Sequence, residues 1–326
     1  MAIESFSTSD LTPPLVREVE EFLDGQQTSH PFQFPQWHPD ARLLLRRQQG
    51  RICWTGTFSV YSPLGRKLPW IRAAVANRGP VCDDLAVWKT ATEELVEHFQ
   101  SERVCFVEVA PDRIHGLEGE SGAVEDWKTL PEQRASLRLD LSPSEDAIFA
   151  NFRKNSRYEV RRAERDGSSV SAASNPSEIE EFLRLYSHLA TRKGFPADPV
   201  EPMRKRIRWL IESEARGALL LARVGGVACG GAVIARAGKR CWYIWGATDT
   251  DQPTNVGHLV QWRALQWARN HGCTEYDFGG YTPGATSGPA WFKQGFGGTA
   301  VYFVPSQRRV LRALQHRIYS LLSRTK

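Results

Sequence analysis

The chain has 326 residues, of which 41% are apolar and 24% charged, and it carries a formal net charge of +5. That length suffices for two domains with cores of their own, whereas no apolar run reaches the roughly 20 residues of a membrane span and the polar first residues give no secretory signal. The six cysteines and eight histidines show neither C-x-x-C nor H-E-x-x-H spacing, which argues against disulfide scaffolds and zinc chemistry and favours a cytoplasmic protein without a metal.

The first half of the sequence predicts an α/β unit. Apolar and alternating runs indicate strands at Arg51 to Tyr61, Trp70 to Ala76 and Val104 to Val109. Helical spacing indicates a helix from about Leu85 to Glu102, and a short helix is predicted at Pro39 to Arg47.

The second half begins with a capping signal, Ser142-Pro143-Ser144-Glu145, which predicts a helix that ends at Gly167. A second capping signal at Ser177 predicts a helix that ends near Arg192-Lys193-Gly194-Phe195. Arginines recur at every fourth position of the first helix, at Arg153, Arg157, Arg161 and Arg165. Such a face is either solvated or a contact for a polyanion.

The hydrophobic period then changes from helical to alternating. Three consecutive antiparallel strands are predicted, at Ala218 to Arg223, Val227 to Arg236 and Arg240 to Trp245. A helix from about Asn255 to His271 and a strand at Thr274 to Phe278 follow. This order of elements is typical of an N-acyltransferase of the GNAT type.

Because the first half repeats this outline, we expect an α/β (α+β) protein with two tandem GNAT-like acyltransferase domains, each a mostly antiparallel mixed sheet flanked by helices. The boundary is expected between Leu139 and Ser144, which gives residues 1–142 and 143–307. Residues 308–326 contain six Lys or Arg and no acid, and predict an amphipathic helix from Val310 to Ser323. Its apolar stripe either packs on the first domain or lies on a membrane; packing is favoured, because such a stripe most often serves a core.

One lysine, Lys293, stands among aromatic residues and glycines in the segment Trp291 to Gly298. A cation in a partly apolar setting suits the stabilisation of charge that develops during acyl transfer. The alternative is a surface lysine on a glycine-rich hairpin. Asp277 also has two interpretations, a direct role or the ordering of the turn at Gly279-Gly280, and the second is favoured.

Several ordered motifs in the second half resemble the Fem peptidyltransferases, and Gly79-Pro80 with Asp83 extends the resemblance weakly into the first half. The motifs are Phe149-x-x-Phe152-Arg153-Lys154, Arg192-Lys193-Gly194-Phe195, Trp242 to Ala247, Gly257-His258-Leu259, Tyr276-Asp277-Phe278-Gly279-Gly280, and Phe292-Lys293 with Phe296-Gly297-Gly298. The resemblance implies transfer of an amino acid from aminoacyl-tRNA, as co-substrate and without a cofactor, to an amine of a peptidoglycan precursor or a similar peptide or amine acceptor.

The resemblance also implies roles for single residues. Lys293 matches the lysine proposed to stabilise the oxyanion, and Phe292 matches the aromatic residue beside it. Tyr243 lies on the strand that bears substrate-contacting tyrosines. Arg192 matches a basic position linked to the phosphates of the precursor, and the fork of a guanidinium suits phosphate.

In the first domain, Asp83 matches the acidic residue after Gly-Pro and is the acid expected to take the proton of the attacking amine, although acids in turns often cap backbone amides. Arg78 stands where family members often carry tyrosine, which leaves the acceptor open. Arg46 and Arg47 are candidates for a phosphate contact. In this family context the four arginines of the 142–167 helix become candidates for contacts with tRNA phosphates.

Two alternative functions are compatible with parts of this sequence pattern. An acyl-CoA-dependent N-acyltransferase would need a glycine-rich pyrophosphate loop before the helix at Asn255, but Asp249 to His258 contains two aspartates, a proline and one glycine. The tRNA-dependent hypothesis is therefore favoured. The other alternative is a non-catalytic protein that binds a cell-wall precursor or the inner face of the membrane through residues Arg308 to Lys326.

Overall fold

The computed structural model describes residues 3–114, 124, 126–131, 135–213, 215–249, 256–282 and 284–323. The strands are β1 (Glu4–Ser7), β2 (Arg42–Gln48), β3 (Arg51–Tyr61), β4 (Ala73–Arg78), β5 (Phe106–Pro111), β6 (Lys128–Thr129), β7 (Ala135–Asp140), β8 (Ser169–Ala172), β9 (Gly217–Val224), β10 (Val227–Ala237), β11 (Arg240–Thr248), β12 (Glu275–Gly280), β13 (Thr299–Tyr302) and β14 (Gln307–Val310). The α-helices are α1 (Pro13–Gly25), α2 (Leu85–Ser101), α3 (Glu145–Ala150), α4 (Lys154–Arg165), α5 (Pro176–Lys193), α6 (Val200–Glu212), α7 (Gly257–Asn270), α8 (Gly288–Gln294) and α9 (Ala313–Ser323).

These elements form two compact units. Unit 1 takes its described residues from Met1–Arg134 and Tyr302–Lys326, and unit 2 from Ala135–Val301. The strand order is β1-β2-β3-β4-β5-β14-β6 in unit 1 and β13-β7-β12-β11-β10-β9-β8 in unit 2. Each sheet is mixed, because β4 pairs with β5 and β11 with β12 in parallel. The predicted fold class, α/β with two mixed sheets flanked by helices, is confirmed.

Unit 2 begins before the boundary expected at 142/143 and ends before residue 307. The reason is sheet pairing. Strand β7 pairs antiparallel with β12, with Leu139 opposite Tyr276, while β14 pairs with β5 in unit 1. Short strands of this kind carry too little pattern for the sequence to show which sheet they join.

The predicted β9-β10-β11 meander, the helices α2 and α7 and the strand β12 are confirmed to within a few residues. Residues Pro39 to Arg47 were wrongly predicted as a helix, because this segment contains β2. Leu43, Leu44 and Leu45 are all fully buried, and an apolar run that is buried on both faces of a sheet looks like a buried helix in sequence.

The helix predicted from Ser142 to Gly167 is two helices, α3 and α4. Ser144, not Ser142, is the N-cap of α3, and its Oγ accepts a hydrogen bond of 3.2 Å from the amide of Ala147. Arg153 adopts an extended conformation between the two helices. Helix α6 was not predicted, although Met203, Ile207 and Leu210 form its buried stripe at helical spacing.

Unit 2 has a continuous core in which aromatic rings join the helices to β12. Phe152, between α3 and α4, meets the ring of Phe296 edge-on at 5.1 Å, and Phe296 stacks on Phe278 of β12 at 5.4 Å. All three side chains are fully buried. Buried aromatic pairs of this kind fix the segment after α8 against β12 and against the end of α3.

Candidate functional site

A pocket of about 750 Å³ lies in unit 2. One wall is the second half of β11, beyond the point where its parallel register with β12 ends at Trp242 opposite Asp277. The residues that line the pocket come from α4, α5, β10, β11, α7 and α8: Glu159, Arg162, Leu189, Arg192, Lys193, Phe195, Gly231, Tyr243, Gly246, Ala247, Thr248, Asp249, Gly257, Val260, Gln261, Gly288, Pro289, Phe292 and Lys293. The pocket thus brings together the predicted site residues Lys293, Phe292, Tyr243 and Arg192.

Lys293 lies in the last turn of α8, so the hairpin interpretation of its segment is wrong. Its Nζ donates a hydrogen bond of 2.8 Å to the carbonyl oxygen of Gly280. Burial lowers the pKa of Lys293 to about 8, and the carboxylate of Asp277 opposes this shift. An ammonium has three donors, so among the described residues two N–H groups remain for a substrate in the pocket.

Helix α8 is held in place at its C-terminal end. The carbonyl of Gly295 accepts a hydrogen bond of 2.9 Å from the amide of Arg153. A Cβ atom at Gly295 would lie 2.3 Å from the Oγ of Ser156 on α4. Glycine permits this contact without a shift of Ser156, and α8 therefore lies directly against α4.

Asp277 orders the turn that receives Lys293. It is 1% exposed and forms an ion pair of 2.9 Å with Arg138, its neighbour on β7. Its Oδ1 accepts from the amide of Gly279 at 2.8 Å and also from the hydroxyl of Ser136. The structural interpretation of Asp277 is supported, because the turn it orders presents the Gly280 carbonyl to Lys293.

Phe292 packs against a histidine that sequence reasoning did not single out as a site residue. The ring of His258, in the first turn of α7, meets Phe292 edge-on at 4.9 Å. Burial lowers the pKa of His258 to about 4, so its imidazole is neutral at physiological pH. The Phe292-Lys293 and Gly257-His258 motifs of the sequence therefore meet in one place, although neither motif predicts the contact.

Tyr243 is held by two residues for which the sequence predicted no role. Its hydroxyl is hydrogen-bonded to Gln261, and burial raises the pKa of Tyr243 to about 12. Gln261 also accepts a hydrogen bond of 2.9 Å from the hydroxyl of Tyr276. A Cβ atom at Gly246 would lie 1.7 Å from the Tyr243 hydroxyl. Because Gly246 has no side chain, the end of the Tyr243 side chain can lie directly over it.

Arg192 is exposed in the last turn of α5, and its Nη2 donates a hydrogen bond of 3.4 Å to the carbonyl of Thr248. Arg162 and Lys193 also line the pocket, together with Lys293. The carboxylates in the lining are Glu159 and Asp249. Cationic side chains thus outnumber anionic ones in the lining, which favours a substrate with negative charge.

The four arginines at every fourth position do not form one uniform face. Arg157 is partly buried and donates hydrogen bonds to the carbonyl of Ala150, the last residue of α3, and to that of Phe152, between α3 and α4. Arg153 lies over the ring of Trp291 at 4.3 Å, and Arg161 over Phe149 at 5.4 Å. Arg165 is exposed in the last turn of α4. Three of the four are therefore exposed, whereas Arg157 caps a helix.

Asp83 and Arg78 belong to unit 1 and are engaged there. The carboxylate of Asp83 accepts hydrogen bonds from the amides of Gln27 and Thr28, at 2.8 and 2.9 Å, and from the Thr28 hydroxyl. Arg78, at a φ of 65°, forms an ion pair of 2.7 Å with Asp112. Both residues therefore have contacts that stabilise the loop around Gly79-Pro80.

Arg46 and Arg47 lie on β2 and are paired with carboxylates of unit 1. Arg46 forms an ion pair with Glu94, and Arg47 with Glu18 and Glu4. Among the described residues there is also no cluster of three or more His, Cys, Asp or Glu that would hold a metal ion. In the same part of the chain, no helix combines the length and the hydropathy needed to cross a membrane.

Residues 150–294 match the family model described as an acetyltransferase (GNAT) domain. A segment of 151 residues is 24% identical to UDP-N-acetylmuramoylpentapeptide-lysine N(6)-alanyltransferase of Weissella viridescens, and covers 46% of this chain and 44% of that protein. A segment of 56 residues is 39% identical to lipid II:glycine glycyltransferase of Staphylococcus saprophyticus, and covers 17% of this chain and 14% of that protein. The chain thus spans less than half the length of the curated relatives that it matches.

The solved structures that are similar show the fold. The crystal structure of FemX superposes with a TM-score of 0.77 at 16% sequence identity, over 98% of this chain and 99% of that chain. The structure of L-PGS from Bacillus licheniformis gives a TM-score of 0.61 at 13% identity, over 94% and 95% of the two chains. The resemblance seen in the motifs is confirmed to this extent: the chain has a tandem GNAT-like fold that matches FemX, and segments of its sequence are similar to an alanyltransferase and a glycyltransferase.

Proposed function

We propose that this protein transfers an amino acid from aminoacyl-tRNA to an amine of a peptidoglycan precursor or a similar peptide acceptor, without a cofactor. The observation that carries the proposal is the position of Lys293, which presents an ammonium of lowered pKa to a pocket next to Phe292 and Tyr243. The names of the sequence relatives supply the acceptor class and the kind of group transferred. The proposal that tRNA carries the amino acid depends on the resemblance of the sequence motifs to the Fem peptidyltransferases.

The reaction requires little covalent chemistry from the protein. The acceptor amine attacks the carbonyl carbon of the aminoacyl ester, and a C–N bond forms while the carbonyl oxygen becomes an oxyanion. Lys293 donates a hydrogen bond to that oxyanion. The tetrahedral intermediate then breaks the C–O bond to the tRNA ribose, whose hydroxyl takes a proton, while the attacking nitrogen loses one. No nucleophilic side chain is needed.

The proton of the amine needs an acceptor, and Asp83 remains our candidate. Its carboxylate already receives three hydrogen bonds from Gln27 and Thr28, which gives it a structural role as well. Water or the substrate itself can serve in its place. For acceptor binding we propose Arg192 as a phosphate contact and Arg78 as a residue that adapts the acceptor site.

Contacts with tRNA are proposed for the exposed members of the arginine row. Arg153, Arg161 and Arg165 are exposed on unit 2 and can bind phosphates without sequence preference. Arg157 is better explained by its hydrogen bonds to the end of α3. The proposed phosphate contact therefore consists of three arginines rather than four.

The alternative donor is acyl-CoA, which the match to an acetyltransferase domain favours. The sequence argument against acyl-CoA depends on the loop from Asp249 to His258. Residues 250–255 of this loop lie outside the described residues. Val256 follows them as the N-cap of α7, which begins at Gly257. The choice between the donors therefore depends on experiment.

To test the donor, the protein is incubated with total charged tRNA or with acetyl-CoA, each with nucleotide-linked and lipid-linked peptidoglycan precursors. Mass spectrometry of the acceptor should show the added mass of one amino acid with charged tRNA alone. Treatment of the tRNA with ribonuclease should abolish the product. Transfer with acetyl-CoA alone would refute the proposal, as would the lack of any product with charged tRNA.

We also propose that unit 1 contacts an anionic lipid surface through α9 and the loop before β4. Ile318 and Tyr319 of α9 pack on a small cluster that includes Ile71 of this loop, while Leu314 and Leu321, two turns apart on α9, are 75% and 61% exposed. Trp70 of the same loop is 48% exposed. Exposed leucines, an interfacial tryptophan and a segment with six Lys or Arg and no acid together suit the headgroup region of an anionic bilayer.

The prediction is that the protein sediments with vesicles that contain phosphatidylglycerol at low salt, but not with vesicles of phosphatidylcholine alone. Replacing Leu314 and Leu321 by serine should lower the vesicle partition coefficient by at least about 100-fold, because each fully inserted leucine contributes about 1.5–3 kcal/mol. A matched control is Val227→Ser, at an exposed apolar residue of unit 2. Equal sedimentation of the double variant and the original protein would contradict this proposal.

A further inference from the structure

The pocket that contains Lys293 also contains a carboxylate that has no assigned role. Glu159 lies on α4 and lines the pocket. Its Oε2 is buried and has no hydrogen-bond partner among the described residues. Leaving such a group buried without a partner costs free energy, so a group that binds there and donates hydrogen bonds would offset that cost.

The packing of α4 fixes where this carboxylate lies. Val160 and Ala163 are buried in the core of unit 2 and set the rotation of the helix. Ser156, one turn before Glu159 on the same side of α4, contacts Gly295 at the end of α8. Glu159 therefore stands on the face of α4 that turns toward the segment bearing Lys293, on rigid secondary structure rather than on a loop.

Glu159 is not the counter-ion of the neighbouring cations. The carboxylate that raises the pKa of Lys293 is that of Asp277, and the Nζ of Lys293 is hydrogen-bonded to a backbone carbonyl. Arg162, one turn further along α4, pairs with Asp166 at 3.6 Å. The pocket thus has a cation, Lys293, that can donate to an oxyanion, and a separate carboxylate, Glu159, with which a donor group of the ligand can pair.

We propose that Glu159 binds the α-ammonium of the aminoacyl group and thereby selects donors that carry a free amine; this inference depends on the proposed function. An aminoacyl ester has two polar features near the reacting carbon, the carbonyl oxygen and the α-ammonium. Lys293 serves the first and Glu159 serves the second. An acetyl donor offers Glu159 no hydrogen bond, and a hydroxyacyl donor offers only a neutral hydroxyl in place of the charged ammonium, so the site discriminates against both.

The test compares two donors that differ only at the α-substituent. Alanyl-tRNA is one, and its product with nitrous acid, lactyl-tRNA, carries a hydroxyl in place of the amine. The value of kcat/KM is measured for both donors with the original protein, with Glu159→Gln and with the control Glu164→Gln. Glu164 is an exposed residue of the same helix that pairs with Arg263 at 2.9 Å.

We expect the original protein and the Glu164 variant to prefer alanyl-tRNA. In Glu159→Gln the ratio of the two kcat/KM values should fall by about 10- to 100-fold, because a hydrogen bond to a charged group is lost for one donor only. Rates with lactyl-tRNA should change little, which also shows that the variant is folded and active.

The outcomes separate this inference from the proposed function. If Glu159→Gln lowers both rates by the same factor, or lowers neither, Glu159 does not recognise the ammonium, while the transfer reaction stands. If the original protein uses both donors equally well, the inference fails in the same way. If it uses neither donor but uses acetyl-CoA, the proposed function itself fails.

Discussion

We expect Lys293→Met to lower kcat for aminoacyl transfer by about 10²- to 10³-fold, the usual effect of removing one donor from an oxyanion site. Methionine keeps much of the length and the apolar stem of lysine, so the packing around α8 should be retained. KM for both substrates should change little, because the lost hydrogen bond forms in the transition state. Steady-state kinetics with charged tRNA and the acceptor measure both constants.

The pH dependence gives this prediction a second readout. Since burial lowers the pKa of Lys293 to about 8 from its ordinary value of 10.5, the ammonium is lost as the pH rises through about 8. The kcat/KM profile, corrected for spontaneous hydrolysis of the ester, should therefore fall on the alkaline side near that pH. In Lys293→Arg this fall should be absent, because a guanidinium stays charged. Full activity of Lys293→Met at neutral pH would refute the role of Lys293.

The same shift affects stability. The folded state disfavours the charged form of Lys293, whereas the unfolded chain does not. Between about pH 8 and pH 10.5 the unfolded state therefore binds more protons than the folded state. The contribution of this group to the free energy of unfolding consequently increases with pH across that window and is least favourable below it.

The second large effect is expected for Asp277→Ala, which should lower the free energy of unfolding of unit 2 by about 3–5 kcal/mol. Arg138 is 6% exposed and Asp277 1% exposed, so the variant removes the shorter ion pair of a buried guanidinium and leaves it the longer one of 3.8 Å with Glu275. The amide of Gly279 loses its acceptor as well. Urea unfolding followed by tryptophan fluorescence measures the change.

A matched control replaces both members of the pair. In the double variant Arg138→Met, Asp277→Leu no charge is left uncompensated, so the loss of stability should be much smaller than in Asp277→Ala. Both variants should lose transfer activity, because the turn that presents Gly280 to Lys293 is no longer ordered. If Asp277→Ala unfolds at the same urea concentration as the original protein, the structural role of Asp277 is wrong.

Much of unit 2 could be predicted from the sequence, because its signals are local. The meander from β9 to β11 has alternating apolar residues between glycine turns. Lys293 became a candidate site residue through its match to the family lysine, because its local segment alone favours a surface lysine. The tyrosine–glycine contact of Tyr243 and Gly246 was not predictable. This contact depends on the Tyr243 side chain lying along its own strand toward Gly246. The hydrophobic periodicity of a strand does not predict such a contact.

Other features of the structure could not be predicted from the sequence, for physical reasons. The run Leu43 to Leu45 is buried on both sides of a sheet, and in sequence such a run does not distinguish strand from helix. Glu159 stands between Tyr158 and Val160 on a basic helix and looks like an ordinary surface acid. Its significance arises from the closure of the pocket by α8, which is remote in the chain.

The position of β14 between β5 and β6 has a consequence for biosynthesis. During translation the strands β1 to β5 emerge before unit 2, but the strand that pairs with β5 emerges only after the whole of unit 2. Unit 2 is continuous in the chain from Ala135 to Val301 and has all of its strands available before then. Domains generally fold as they emerge, so the second unit can complete its sheet before the first, and an edge of β5 must wait unpaired until residues 307–310 arrive.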